Sequence, residues 1–343
     1  MKHLLNTLFV TSEDVYLSLD GENVVANRDK TVAARYPLHT LQNIVTFSYA
    51  GASPALMGAC AERGIGLAFC TPRGRFLART AGIFGGNVLL RREQYRLADD
   101  EDKSCIVARS MIAGKLYNSR WSLERTLRDH RLRVCEEDFR NAIDILKRQA
   151  YAASESDSLD SLRGAEGVGA AAYFGVFDQM ILRNKEDFRF NGRNRRPPLD
   201  NVNAMLSFAY SLLVNDCASA LESVGLDAYV GFLHRDRPGR RSLALDLMEE
   251  LRPVMADRFV LTAINNRVAA PEDFTKEESG AVRMNDDGRK RFIKAWQERK
   301  QETITHPFLG DKMVWGLVPY VQALLLARYL RGDLDAYPPF LWK

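Results

Sequence analysis

The sequence predicts an α+β protein, with a small N-terminal β-sandwich-like domain over residues 1–88 and a larger all-α domain over residues 89–343. Three observations carry this. A length of 343 residues suggests about two domains. The first 88 or so residues fall into short β-branched or aromatic runs separated by turn residues. From about Arg91, Leu, Ala, Arg and Glu dominate and the apolar spacing moves to threes and fours, the period of a helix.

Taken in order, Thr7–Val10 and Val15–Leu19 read as strands, and Asp20-Gly21 is a hairpin turn leading into Asn23–Ala26. Asn43–Phe47 is a further strand. Ser53-Pro54 opens a helix, Ser as cap and Pro in the first turn, which ends near Gly64. Ile65–Cys70 and Phe76–Thr80 flank a turn at Thr71–Arg75. Ile106, Met111, Ile112, Leu116, Trp121, Leu123 and Leu127 mark one or two long helices, continued over Ala142–Tyr151. A polar turn-prone stretch, Ser154–Ser161, precedes an Ala-rich helix over Gly164–Leu182. Asn191–Pro198 is a loop, and Val202–Leu213, Ala244–Asn266 and Lys312–Leu330 read as helices.

The chain is 46% hydrophobic and 27% charged, enough apolar material for a large core and too much for wholesale disorder. Five cysteines form no C-x-x-C pair, which argues against a thiolate zinc site or a redox dithiol. No secretory leader is expected from the N-terminal residues, so a cytosolic chain with reduced thiols is the expectation. Met313–Leu326, interrupted by Pro319 and Gln322, is shorter than the roughly 20 residues of a membrane span and reads as a buried helix; no membrane contact is expected.

Net charge is only +4, but its distribution is uneven. Residues 183–196 carry six basic against two acidic side chains, residues 234–241 four against one, and residues 283–300 seven against three. Several basic windows in one domain favour an anionic partner, nucleic acid first, whereas any single window can be plain solvated surface.

Five histidines can be weighed one by one. His3, His39, His130 and His306 read as structural or solvent-exposed. His234 follows the apolar Tyr229–Leu233 and opens the run Arg235-Asp236-Arg237-Pro238-Gly239-Arg240-Arg241, a suitable place for a metal ligand. Downstream, Ser242 can cap a helix on which Asp246 and Glu249, three apart, share a face beside Leu243, Leu247 and Leu251. A divalent cation would relieve the repulsion of two carboxylates there, although an ordinary acidic helix face has the same spacing. Glu166 stands among Gly and Ala, which permit close helix packing; it needs Arg163, a cation or a raised pKa if buried, or it pairs with Arg163 on an exposed face.

The blocks Leu-Arg-Gly-Ala-Glu-Gly, Ala-Ala-x-Tyr-Phe and Asn-Gly-Arg-Asn-Arg-Arg-Pro-Pro-Leu-Asp-Asn-Val-Asn-Ala-Met-Leu-Ser-Phe-Ala-Tyr resemble the CRISPR-associated integrase-endonuclease of spacer acquisition. So does the run of His234, Ser242-Leu243, Asp246-Leu247-x-Glu249 and Leu251-Arg252-Pro253. Ala113–Asn118 and the ending Tyr337–Phe340 look like the type I-C branch. The resemblance implies a catalytic metal site of Glu166, His234 and Glu249, with Asp246 close beside it and Mg²⁺ or Mn²⁺ as cofactor. It implies insertion of foreign DNA into a CRISPR array by attack of a 3′-hydroxyl on the repeat. Double-stranded and branched DNA would be the substrates, a homodimer would form through the β domain, and a small ferredoxin-like adaptation protein would be the partner, all in a prokaryotic cytoplasm. Arg163, Arg193, Arg195, Arg196, Arg235, Arg237, Arg240 and Arg241 are the candidate phosphate contacts. A non-catalytic DNA-binding scaffold and a metal-dependent RNA nuclease are the competing expectations.

Overall fold

The computed structural model describes residues 7–10, 12–29, 31–41, 43–71, 76–80 and 88–343. His3, most of the turn at Thr71–Arg75, and residues 81–87 just ahead of the expected domain boundary lie outside the described residues.

The N-terminal part contains strands β1 (Thr7–Val10), β2 (Tyr16–Asp20), β3 (Asn23–Arg28), β4 (Thr31–Pro37) and β5 (Asn43–Thr46), helix α1 (Pro54–Glu62), and strands β6 (Gly66–Cys70) and β7 (Phe76–Arg79). Strands β2, β3 and β4 form an antiparallel meander, in which β2 and β3 are joined by the expected two-residue turn. A second sheet has the order β1-β5-β6-β7, parallel except for the last pair. Helix α1 starts as expected, with the Ser53 hydroxyl accepting from the Leu56 amide at 3.2 Å and Pro54 at the first position.

Side-chain alternation along β5 and β6 sends neighbours into two different cores. Ile44 and Leu67 join Leu17, Val24, Leu38 and Leu56 in the N-terminal cluster. Val45, Ala68 and Cys70 join the large cluster built by the helices. A sheet buried on both faces explains why Ile44-Val45 and Leu67-Ala68-Phe69-Cys70 are continuous apolar runs. Each aliphatic side chain so buried contributes about 1.5–3 kcal/mol.

The remainder is mainly helical, in agreement with the α+β reading. It comprises α2 (Val88–Ala98), α3 (Glu101–His130), α4 (Glu136–Ser154), α5 (Leu159–Gly175), α6 (Asn201–Ser223), α7 (Ser242–Leu251) and α8 (Arg258–Asn265). Then follow a hairpin of β8 (Phe274–Lys276) and β9 (Val282–Met284), α9 (Asp286–Gln301), a hairpin of β10 (Thr303–Thr305) and β11 (Lys312–Val314), and α10 (Val318–Leu330). Helix α3 is central, packing on α4, α5 and α7. Helix α6 is long and apolar enough to cross a membrane by length and composition, but most of it is buried against α7 and α10.

Several element readings need correction. Thr31–Pro37 is a strand that the sequence reading passed over, an exposed edge with no clear alternation. Helix α5 begins at Leu159, capped by Ser158, and ends at Gly175, with a 3₁₀ turn at Phe177–Met180 in place of the expected run to Leu182. The expected helix Ala244–Asn266 is interrupted by a π-helical turn at Arg252–Asp257, where Pro253 lacks the amide hydrogen an α-helix would use. Ser242 is the first helical residue rather than the cap, and its hydroxyl donates to the Arg235 carbonyl at 3.2 Å. Lys312–Leu330 opens with a strand before the helix, and residues 286–301, read only as a basic window, form α9.

Candidate active site

Glu166, His234 and Glu249 come together from α5, the α6–α7 loop and α7. Small residues make this possible. A Cβ on Gly169 would lie 2.2 Å from Leu116 Cδ2, so a larger residue there would force the Leu116 side chain to shift where α5 meets α3. That contact carries Glu166 against Lys115 of α3. The ammonium of Lys115 is ion-paired with Glu166 Oε1 and lies 2.8 Å from Glu249 Oε2. Glu249 Oε1 faces the Arg252 guanidinium at 3.0 Å and His234 Nε2 at 4.0 Å.

Burial alone would raise the Glu249 carboxyl, but Arg252, Lys115 and His234 outweigh it and hold the group at about 2. Glu249 is therefore a buried anion. Asp246 is fully buried and works on the loop rather than in the cluster. Its Oδ2 accepts from the backbone amides of Phe232 at 2.6 Å and Leu233 at 2.9 Å. Its Oδ1 accepts from the His234 amide at 3.0 Å and lies 2.5 Å from His234 Nδ1. With Nδ1 turned to a carboxylate, Nε2 is the ring nitrogen on the side of Glu249. Gly231 is needed next to this bridge, since a Cβ there would lie 2.8 Å from Asp246 Oδ2 and from Ser242 atoms.

Two further residues brace the loop. Gln94 of α2 is fully buried and donates to the carbonyls of Asp227 at 2.8 Å and Val230 at 2.9 Å. Arg163 donates to the Leu233 carbonyl at 3.0 Å and pairs with Asp160 at 2.6 Å, so it is not the partner of Glu166 that spacing allowed.

The donor set suits a hard divalent cation: two carboxylates and an imidazole fixed through its far nitrogen. Glu249 Oε2 is buried and accepts no hydrogen bond, despite the nearby ammonium. Among the described residues, however, no three His, Cys, Asp or Glu side chains stand as a ready metal cage, and the Lys115 ammonium takes the position between the two carboxylates.

Next to Glu166 and Lys115 lies a cavity of about 80 Å³ lined also by Arg193, Arg195, Tyr210, Arg252 and Asp257. The guanidinium groups of Arg193 and Arg252 lie 5.3 and 5.0 Å from the Tyr210 ring centre. Tyr210 donates to Asp257 Oδ1 at 2.6 Å. Arg195 also lines, with Arg196, a groove of about 640 Å³ between α6 and the β8–β9 hairpin. Arg235 and Arg237 are exposed and Arg240 half-buried on the loop after His234. Arg241 is buried and donates to Asn215 Oδ1 at 2.8 Å, which sets it apart from the surface arginines. Of the other histidines, His39 and His130 are exposed and His306 is buried against Gln322 at 3.0 Å.

Sequence reasoning missed Lys115, Arg252, Gln94, Tyr210 and Asp257. Lys115 and Asn118 stood in a segment quoted only for its likeness, and a lysine on a helix carries no local sign that it faces inward.

A family model described as CRISPR associated protein Cas1 matches residues 8–298. The chain is 50% identical over 343 residues to the CRISPR-associated endonuclease Cas1 1 of Chlorobaculum tepidum, covering 100% of each. Its fold is similar to that of a casposase bound to integration product, with TM-score 0.84 and 21% identity over 99% of this chain and 95% of that one. It is similar also to a chain of a Cas6-RT-Cas1–Cas2 complex, with TM-score 0.81 and 21% identity over 100% of this chain and 36% of that one.

Proposed function

Because this chain belongs to the CRISPR-associated Cas1 family, we propose that it is a metal-dependent DNA endonuclease and integrase of CRISPR adaptation, of the type I-C branch. The observation that carries the reading is Glu249, which shares the Lys115 ammonium with Glu166 through Oε2 and faces His234 Nε2 at 4.0 Å through Oε1. The endonuclease name of the Chlorobaculum tepidum relative and the casposase with its integration product support it.

Glu166, Glu249 and His234 Nε2 would hold Mg²⁺ or Mn²⁺, which when bound supplies Lewis acidity to the scissile phosphate. Asp246 keeps the His234 ring in one orientation. Arg252, buried and charged beside Glu249, and Arg193 across Tyr210 offer donors to phosphate oxygens in the adjoining cavity. A DNA 3′-hydroxyl attacks phosphorus in the repeat, one ester forms, and the displaced 3′-oxygen leaves; water in place of the hydroxyl gives a nick. Arg195, Arg196, Arg235, Arg237 and Arg240 are surface cations suited to tracking the DNA backbone. Dimerisation through residues 1–88 and docking on a small ferredoxin-like partner in a prokaryotic cytoplasm complete the proposal; the Cas1–Cas2 complex among similar folds supports a protein partner alone.

Single variants Glu166→Ala, His234→Ala and Glu249→Ala are expected to lose Mn²⁺-dependent cleavage of branched DNA and integration into a repeat-bearing plasmid, with melting curves that still show a folded chain. Full activity in all three would sink the site. Cleavage unaffected by EDTA would sink the metal, binding without cleavage would indicate a scaffold, and preference for RNA in a mixed-substrate assay would indicate an RNA nuclease.

A further inference from the structure

We propose that Lys115 is the built-in counter-cation of the active site, holding Glu166 and Glu249 together until a divalent ion displaces it. The inference rests on the reading of Glu166, His234 and Glu249 as metal ligands. The side chain of Lys115 is 10% exposed and that of Glu249 5%, so neither charge is balanced by water. Among the described residues, Glu166 has no ion pair other than that with Lys115. Glu166 is 31% exposed, but the Glu249 carboxylate is buried, and burying that charge without a cation is costly. An ammonium is the smallest cation a side chain can supply, and it rides on a flexible four-carbon stem with three rotatable donors. Arg252, by contrast, approaches only Glu249 and leaves the position between the carboxylates open.

A divalent ion needs the same oxygen atoms that the ammonium now faces. Both cations cannot occupy that position, so metal binding is an exchange. The cavity beside Lys115 and Glu166, lined also by Ser119, Tyr210 and Asp257, gives the displaced ammonium room to turn. The exchange lowers the apparent metal affinity by the free energy of breaking two ion pairs, and keeps the empty site charge-balanced and folded.

The test titrates Mn²⁺ into metal-free, full-length wild type, Lys115→Met and Lys115→Gln, following free Mn²⁺ by electron paramagnetic resonance and the melting temperature in parallel. Both variants are expected to bind Mn²⁺ about tenfold tighter than wild type, to melt lower without metal, and to regain their stability when Mn²⁺ is added. A variant that is unfolded without metal must refold on addition of Mn²⁺. Equal or weaker binding by the variants, or failure to refold, overturns the proposal. Glu249→Gln separates the two readings. If it abolishes Mn²⁺ binding while the Lys115 variants bind like wild type, only the exchange is wrong. If no folded chain binds Mn²⁺ at all, the ligand reading falls and the exchange with it.

Discussion

Asp246 is the residue on which the His234 side of the site turns. Its two oxygens take four contacts, three from backbone amides and one from the His234 ring. In Asp246→Asn one of these oxygens becomes an NH₂ that faces donors, so about 1–3 kcal/mol of stability and about 10–100-fold in Mn²⁺ affinity should be lost, read by thermal melts and metal titration. Asp257 makes a prediction of a different kind. Burial pushes its carboxyl up to about 6 from 3.8, with Tyr210, Arg252 and Arg193 pulling it back. A raised value means that the folded chain keeps a proton the unfolded chain gives up. Stability from this group is therefore full below about 4 and is lost as the pH rises through about 6. Asp257→Asn should flatten that slope by on the order of 2–3 kcal/mol between pH 4 and 7, measured by urea unfolding. At this scale spacing singled out the acids and the histidine as candidates but fitted an ordinary acidic helix face as well, and only the family resemblance joined them into one site. It did not show Lys115, whose meaning depends on a partner 51 residues away.

Between residues and fold stand the elements, and here the glycines of the site matter more than its polar groups. Gly231→Ala would put a methyl into Asp246 and the start of α7, so the loop bearing His234 must move. The expected result is loss of DNA cleavage with little loss of helix content, checked by nuclease assay and circular dichroism. Elements with one strong period were legible: α3, with its apolar positions at threes and fours, and the β2–β3 hairpin with its turn. Three kinds were not. Strand β4 lies at an edge and exposes most of its residues, so no alternation marks it. Helix α9 is dense in Lys, Arg and Asp, with Phe292, Ile293 and Trp296 as its few large buried apolar positions. The two hairpins in the helical part have strands of three residues, too short for a period to register.

Across the whole molecule, the β1-β5-β6-β7 sheet is a wall common to two cores, and Phe47 reaches across to Phe208 of α6 at 6.2 Å between ring centres. Ile44→Asp and Val45→Asp point to opposite faces, yet both should lower the melting temperature of the entire chain. One calorimetric transition is the expected outcome, and two separate transitions would contradict it. The segment Tyr337–Trp342 is threaded between α3 and α7. Asn118 donates to the carbonyls of Glu250 and Phe340 at 2.7 Å and accepts from the Trp342 amide at 2.9 Å. Tyr337 and the Phe340 amide donate to the Glu250 carboxylate at 2.5 and 2.9 Å. These ties hold the helix of Lys115 against the helix of Glu249, and Asn118 waits 222 residues for its partner Phe340. During synthesis on the ribosome, every acidic and basic group of the site emerges before the strap that aligns them. A nascent chain therefore carries every charged residue of the proposed site before the strap can fix their arrangement, and the geometry is complete only once Tyr337–Trp342 has docked.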